Sequence, residues 1–176
     1  MIQIYFNENH KNINPILESE IRKLGGEETN QTNLKCYMTS YECHKLSKSF
    51  ENFSDYVLSI VKNNLKCKLK ICMINIWGAI YRRGEYAVSH KHTADRCLFS
   101  FVYFVNVTKE CSPLVFPNIE KPWEDNDKII IPENGKLIIF DPKLQHYVPP
   151  QKIDHERVVI AGNIDSVLSP QRITYE

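Results

Sequence analysis

Apolar residues in the first third of the chain recur at helical spacing in two stretches. The stretch 15–24 is apolar at every third or fourth residue, and Gly25 and Gly26 end it. The stretch 47–65 has the stronger pattern, and its apolar residues share one face: Phe50, Phe53, Val57, Ile60, Val61 and Leu65. Ahead of both, residues 2–6 alternate as a short strand. These patterns predict a mixed N-terminal region whose helices pack on a sheet.

From residue 67 onward the pattern changes to short apolar runs rich in Ile, Val, Phe and Tyr. Pro, Gly, Asn and Asp separate the runs, as turn residues separate strands. The predicted strands cover residues 69–81, 98–107, 113–116, 128–131, 136–140 and 157–164. Because no helical pattern lies between them, they predict an antiparallel sandwich of jelly-roll type. We therefore predict a mainly β (α+β) fold in one domain, 1–176, with mixed helical support in 1–66 and a jelly-roll core in 67–166.

The composition is that of an ordinary globular protein, with 43% hydrophobic and 24% charged residues. It excludes long disorder, collagen-like repeats and an elongated coiled coil. The net charge of +1 gives no strong signal for nucleic acid or a membrane surface. The chain begins without a signal-peptide pattern, and its most apolar stretch, 98–107, is too short to cross a bilayer. We expect a soluble cytoplasmic protein.

The six cysteines indicate a compartment rather than a site. None of them stands in a Cys-x-x-Cys pair, which disfavours a zinc knuckle and a thioredoxin-type centre. We expect free thiols in a reducing compartment, several of them small residues of the core.

Two histidines placed two residues apart are the first candidate for chemistry. In an extended segment, His90 and His92 point to the same side and can converge on one metal ion. His146 follows an apolar strand and could add a third imidazole, since a jelly roll brings distant strands face to face. Arg157 opens the last apolar strand and suits bidentate binding of a carboxylate. The competing interpretation is structural, with surface histidines and an arginine paired to a nearby acidic residue.

Taken in order, these residues and the strands around them resemble one enzyme superfamily. The matching segments are 84–86 leading into 90–92, then 100–105, 112–116, 135–140, 146–150, Arg157 and 163–164. They resemble the Fe(II)/2-oxoglutarate-dependent oxygenases, and within them the small oxygenases of phages and marine bacteria. The resemblance extends from about residue 33 to about residue 164, which is most of the chain.

The resemblance implies a double-stranded β-helix that uses Fe(II), 2-oxoglutarate and O₂, and that hydroxylates a substrate. In that superfamily a His-x-Asp/Glu pair and a distal His hold the metal and leave open positions for the co-substrates. By resemblance, His146 is the distal ligand and Arg157 holds the far carboxylate of 2-oxoglutarate. Tyr81 and Tyr103, on the strands before and after the ligand pair, are candidate hydroxyl donors to the same carboxylate.

The second ligand departs from the superfamily pattern, because His92 stands where an acidic residue is usual. Three arrangements stay open: a three-histidine site of His90, His92 and His146; a site in which His92 and Asp95 are ligands; and a degenerate site without turnover. Fe²⁺ keeps a net charge of about +2 with three neutral histidines, and about +1 with two histidines and a carboxylate. We favour the three-histidine site, which becomes neutral when dianionic 2-oxoglutarate binds.

Two other functions compete with the oxygenase. One is a cupin-like enzyme, such as a thiol dioxygenase or an isomerase, that uses the three histidines without 2-oxoglutarate. The other is a non-catalytic jelly-roll module, for example of a virus, that holds no metal. For the oxygenase we expect a small molecule or a protein side chain as substrate, in a bacterial or phage-infected cell. The sequence specifies no oligomeric state.

The polar loop 117–127 is expected to lie beside the mouth of this site. It carries Trp123, which we expect to pack as part of a lid rather than to contact the substrate.

Overall fold

Two antiparallel β-sheets face each other, and helices cover the outer face of the larger sheet. The computed structural model describes residues 1–25, 33–92, 97–121 and 123–167. The helices are α1 (His10–Leu24), α2 (Cys43–Leu46) and α3 (Lys48–Asn64). The strands are β1 (Ile2–Phe6), β2 (Leu34–Lys35), β3 (Tyr37–Met38), β4 (Ile71–Tyr81), β5 (Tyr86–His90), β6 (Cys97–Asn106), β7 (Leu114–Phe116), β8 (Lys128–Ile130), β9 (Lys136–Phe140), β10 (His146–Val148) and β11 (Arg157–Ser166).

The strand order identifies the topology. The larger sheet runs β1-β9-β6-β11-β4-β3, and the smaller sheet runs β2-β5-β10-β7-β8. From β4 to β7, and again from β8 to β11, consecutive strands alternate between the two sheets. The pairings between these strands are antiparallel. Alternation of this kind is the topology of a jelly roll.

Side chains of the larger sheet enter two separate cores. One core lies between the sheets and includes Trp77, Phe104 and Phe140. The other lies under α1 and α3 and includes Phe53 and Tyr103. Because both faces of the central strands are covered, these strands are apolar at nearly every position rather than at every second one. A residue of this sheet can reach the inter-sheet space only from its inner face.

The two predicted helices end close to where the sequence pattern places their ends, but the first one begins earlier than predicted. The helix predicted at 47–65 is confirmed as α3. The first helix begins at His10 rather than at residue 15, and Pro15 lies inside it. A turn at Asn7 leads into the helix: its carbonyl accepts the His10 backbone N–H at 3.0 Å, and its side-chain oxygen accepts the Asn9 backbone N–H at 2.9 Å.

The predicted fold class, mainly β (α+β) with N-terminal supporting helices, is confirmed. The N-terminal region also contributes strands, since β1 and β3 extend the larger sheet and β2 extends the smaller one. The division of one domain into 1–66 and 67–166 stays a prediction. None of the described helices combines the length and the apolar character that crossing a membrane needs.

Candidate functional site

Two neighbouring strands of the smaller sheet bring three histidines together. His90 is the last residue of β5 and His146 is the first residue of β10, and the two are direct partners in the pairing of these strands. His92 lies just beyond β5, where its backbone N–H donates to the carbonyl of Pro142 at 2.8 Å. The potential ligand atoms of the three side chains all lie within 4.8 Å of one another. One metal ion can therefore contact all three.

Backbone carbonyls fix the orientation of two of the imidazoles. His90 Nδ1 lies 2.7 Å from the carbonyl oxygen of Val88, and His146 Nδ1 lies 2.9 Å from that of Leu144. A carbonyl oxygen only accepts, so each Nδ1 carries the proton and donates. Each Nε2 is then left with a free lone pair, which is the arrangement in metal-binding histidines whose other nitrogen is anchored by the protein.

Burial keeps these imidazoles neutral. Desolvation, together with the neighbouring His90, lowers the pKa of His146 to about 3 and that of His92 to about 4. Desolvation also lowers the pKa of His90. The ring of Phe140 meets the His146 ring edge-on, with 4.9 Å between the ring centroids. Neutral imidazole is the form that binds a metal ion, so the cluster is ready to bind one at neutral pH.

A buried guanidinium lies in the same cavity. Arg157 opens β11, is 1% exposed, and donates from Nε to the carbonyl of Ser112 at 2.9 Å. Its Nη1 and Nη2 are buried and have no hydrogen-bond partner among the described residues. The rings of Tyr81 and Phe104 lie 4.8 and 5.2 Å from its Cζ, which holds the plane in place. Burial lowers the pKa of Arg157, yet the guanidinium stays charged at neutral pH.

A buried charge without a partner is unfavourable unless a ligand of opposite charge pairs with it. Buried cations in proteins are paired, and a guanidinium with two open nitrogens matches a carboxylate in bidentate geometry. His90, His92, His146 and Arg157 line one cavity between the sheets, whose other walls include Ala79 and Val159. The cavity therefore has side chains suited to a metal ion at one place, a guanidinium suited to a carboxylate at another, and mostly apolar walls.

Gln151 holds the backbone of Ser112, whose carbonyl oxygen orients the guanidinium of Arg157. Gln151 is 2% exposed; its Oε1 accepts the Ser112 backbone N–H at 2.7 Å, and its Nε2 donates to the carbonyl of His155 at 2.8 Å. The Ser112 hydroxyl donates to the carbonyl of Pro150 at 3.0 Å. Sequence reasoning missed this support. A loop glutamine next to the Pro149-Pro150 turn was the only signal, and it is a weak one.

The two predicted tyrosines have different positions. Tyr81 lies opposite Arg157 in the β4–β11 pairing and lines the cavity. Tyr103 lies on the other face of the larger sheet, where its hydroxyl donates to Asn14 Oδ1 at 2.7 Å. Tyr103 cannot reach the carboxylate site from there. The prediction for Tyr103 is wrong, and Tyr81 alone stays a candidate.

Replacing Tyr103 with phenylalanine is expected to lower stability without affecting ligand binding. The substitution leaves the buried Asn14 Oδ1 without its donor, which costs about 1–3 kcal/mol of the free energy of unfolding. Urea denaturation measures this loss, and a titration with 2-oxoglutarate should give the wild-type affinity. A clearly weaker affinity in a variant of normal stability would place Tyr103 in the site after all.

Two further predictions concern loops. Asp95, the alternative ligand, lies outside the described residues. Trp123 is 79% exposed, so it does not pack as a lid residue in this structure. The exposed indole stands in a loop that follows β7, whose Phe116 ring lies 5.9 Å from the His146 ring. The loop thus begins near the site, and its tryptophan is open to solvent.

Solved structures share this fold at low sequence identity. The viral collagen prolyl hydroxylase of Paramecium Bursaria Chlorella virus-1, in complex with 2-oxoglutarate, is 14% identical, with a TM-score of 0.71 over 94% of this chain and 96% of that chain. A prolyl-4-hydroxylase of Pseudomonas putida is 15% identical, with a TM-score of 0.68 over 94% and 92%. HygX of Streptomyces hygroscopicus, with nickel and 2-oxoglutarate bound, is 10% identical, with a TM-score of 0.71 over 95% and 83%.

No protein-family model matches the chain, and no curated protein matches it significantly in sequence. The structural likeness shows that the chain has the jelly-roll fold found in 2-oxoglutarate oxygenases. The predicted resemblance is thereby confirmed at the level of the fold.

Proposed function

We propose that this protein is an Fe(II)- and 2-oxoglutarate-dependent dioxygenase that hydroxylates its substrate. One observation carries the proposal. Three converging imidazoles share a buried cavity with an arginine whose terminal nitrogens have no partner among the described residues. The imidazoles suit a divalent metal, and the guanidinium suits a carboxylate. 2-Oxoglutarate has a chelating keto acid at one end and a carboxylate at the other, so it matches both.

The residues of the chain divide the task between them. Fe(II) supplies the O₂ chemistry, in which 2-oxoglutarate is converted to succinate and CO₂ and one oxygen atom goes to the substrate. His90, His92 and His146 would hold the metal through Nε2. Arg157 would hold the far carboxylate of 2-oxoglutarate, and Tyr81 shapes the wall beside it. The apolar walls exclude water from the reacting centre.

The all-histidine ligand set changes the charge of the centre and still permits 2-oxoglutarate binding. Three neutral ligands leave a divalent metal with about +2, which the dianionic co-substrate balances. Arg157 adds a further positive charge at the far end of the cavity. The site thus attracts a dianion more strongly than a site with one carboxylate ligand. This favours the three-histidine arrangement as a working site over a degenerate one.

Arg157 also weighs against the cupin-like alternative. An enzyme that uses the three histidines alone gives a buried guanidinium no task, and the unpaired charge would only destabilise the fold. A non-catalytic jelly-roll module explains neither the arginine nor the three converging imidazoles, two of which are oriented by backbone carbonyls.

The substrate of the proposed enzyme is a small molecule or a protein side chain. Both kinds occur among proteins of this fold: HygX has been solved with hygromycin B, and a prolyl hydroxylase of Trichoplax adhaerens with a peptide fragment. The cytoplasmic location stays a prediction.

Succinate formation tests the proposed function. The purified protein is supplied with Fe(II), 2-oxoglutarate and O₂, with ascorbate as the reductant for turnover without substrate. We expect 2-oxoglutarate to be converted to succinate and CO₂ while ascorbate is oxidised. A protein that holds iron and leaves 2-oxoglutarate unconsumed would overturn the proposal.

Replacing His92 with aspartate is expected to keep a working site. Aspartate restores the common set of two histidines and one carboxylate and lowers the charge of the centre by one. We expect one iron per chain and succinate formation at no less than about a tenth of the wild-type rate. His92→Ala, which supplies no ligand, should lose iron instead. Equal iron retention in wild type and His92→Ala would show that another residue is the ligand.

A further inference from the structure

A second cavity, which we call the outer cavity, adjoins two of the three histidines, His90 and His92. It has a volume of about 420 Å³, which is in the range of small-molecule sites. His90, His92, Leu34 and Trp77 line both this outer cavity and the inner one with Arg157. The two cavities therefore meet at the histidine cluster. A molecule in the outer cavity lies next to the metal without occupying the place of 2-oxoglutarate.

The wall shared by the two cavities carries a hydrogen-bond donor without an acceptor. Trp77 is 6% exposed, and its Nε1 is buried and has no partner among the described residues. Tyr41 packs edge-on against the indole, with ring centroids 5.1 Å apart, and keeps it in place. An indole N–H can only donate, and buried donors are normally satisfied. A ligand oxygen in the adjoining cavity would satisfy it.

A second donor is held beside the first by a relay of hydrogen bonds. Asn75 lies two residues before Trp77 on β4, so both side chains point to the same face. Ser100 Oγ donates to Asn163 Oδ1 at 2.6 Å, and Asn163 Nδ2 donates to Asn75 Oδ1 at 2.8 Å. The oxygen of Asn75 is thus used inside the protein. Its amide nitrogen is the group left for a ligand in the outer cavity, which Asn75 lines.

The charge of the outer cavity also favours an acceptor. Among the described residues that line it, Lys91 is the one with a charged side chain, and none of them has a carboxylate. The metal centre behind it has about +2 when three neutral histidines are its ligands. Positive charge and N–H donors together select oxygen anions over cations.

We propose that the outer cavity is the substrate site and that it selects a small molecule carrying a carboxylate or a phosphate. Lys91 and the N–H groups of Trp77 and Asn75 bind the anionic group, which places the remainder of the molecule beside the metal. The inference rests on the proposed function for its catalytic meaning, but the anion selectivity can be measured by itself. It narrows the substrate from any small molecule or protein side chain to a small anion.

The test is calorimetric titration of the protein loaded anaerobically with Fe(II) and 2-oxoglutarate. The probes are two matched pairs: N-acetyl-L-alanine with N-acetyl-L-alaninamide, and glycerol 3-phosphate with glycerol. The two pairs distinguish a carboxylate from a phosphate. In at least one pair, the anion is expected to bind about tenfold more tightly than its neutral partner, as one charged hydrogen bond provides. Binding of neither anion, or equal binding of each anion and its neutral partner, overturns the inference.

Two variants assign the selectivity to these residues. Lys91→Gln removes the charge from an exposed position and should abolish the preference for the anion, whereas Lys11→Gln on α1 should preserve it. Trp77→Phe keeps an aromatic ring but removes the indole N–H, and it should weaken anion binding about tenfold. Unchanged preference in both Lys91→Gln and Trp77→Phe overturns the assignment. 2-Oxoglutarate affinity is measured in the same samples. If the wild-type protein does not bind 2-oxoglutarate, the proposed function is contradicted. If it binds 2-oxoglutarate but shows no preference for the anions, only this inference is contradicted.

Discussion

Replacing Arg157 with methionine is expected to abolish 2-oxoglutarate binding while the protein keeps its metal. The guanidinium has two buried, unpartnered nitrogens, so a carboxylate bound there gains two charge-assisted hydrogen bonds in a place that water does not reach. Removing one partner of such a pair costs about 2–5 kcal/mol, which corresponds to an affinity loss of roughly 30- to 5,000-fold. Calorimetric titration of iron-loaded protein measures the loss.

The stability of the same variant gives a second readout. Methionine fills most of the volume and removes a buried charge that has no partner among the described residues. This gain offsets the loss of the hydrogen bond to the Ser112 carbonyl, so the melting temperature should change little. Arg83→Met is the matched control, because Arg83 is exposed and pairs with Asp154 at 2.8 Å on the surface. If Arg157→Met bound 2-oxoglutarate as tightly as Arg83→Met, the carboxylate would have to bind elsewhere.

Replacing His146 with alanine is expected to remove the metal. His146 is 5% exposed, lies opposite His90 in the sheet, and is one of the three proposed ligands. Loss of a residue that only orients a ligand weakens metal binding by about 10- to 100-fold, so loss of the ligand itself should exceed about 100-fold. Competition with a chelator of known affinity measures the change, and metal analysis of the purified protein gives the retained iron.

Two companion variants separate lost ligation from lost folding. His146→Asn leaves a smaller cavity beside Phe140 than alanine does, and should lose the metal as well. His155→Ala is the matched control, because this exposed histidine contacts Asn106 at 3.2 Å outside the cluster and should keep the metal. Iron retained equally by the folded His146 variants and by His155→Ala would exclude His146 as a ligand.

The spacing of the proposed ligands could be predicted where it depends on local geometry. His90 and His92 lie two apart, and an extended backbone puts such side chains on one side regardless of the fold. Their meeting with His146 depends on the pairing of β5 with β10. β10 has only three residues, too few to show alternation, so sequence pattern alone does not predict it. His146 was a candidate only because it follows an apolar strand, and the resemblance to known oxygenases then gave it the role of distal ligand.

The error at Tyr103 has a physical reason. β6 is buried on both faces, with Val102 and Phe104 in the inter-sheet core and Phe101 and Tyr103 in the core under the helices. Because nearly every position of β6 is apolar, the pattern does not distinguish the face toward the other sheet from the face toward the helices. The sequence therefore contains no signal for the direction of the Tyr103 side chain. Choosing the wrong face moves a side chain to the opposite side of the sheet.

Gln151 was missed for a related reason. Its contact with Ser112 spans 39 positions and joins two loops, and neither loop has a periodic pattern. Arg157 was predictable because it begins an apolar strand, where a charged residue is conspicuous. The long-range contacts that leave two of its nitrogens open for a ligand become visible only in the folded chain.

The central claim is that the three histidines and Arg157 form one site for a metal ion and 2-oxoglutarate, and the visible spectrum tests it most directly. Fe(II) and 2-oxoglutarate are added to the metal-free protein without oxygen. We predict a visible metal-to-ligand charge-transfer band that saturates at one 2-oxoglutarate per chain in wild type and Arg83→Met. The band should be absent from His146→Ala. It should also be absent from Arg157→Met at the 2-oxoglutarate concentration that saturates the wild type. No band in wild-type protein with excess iron and 2-oxoglutarate, or an undiminished band in both site variants, would contradict the claim.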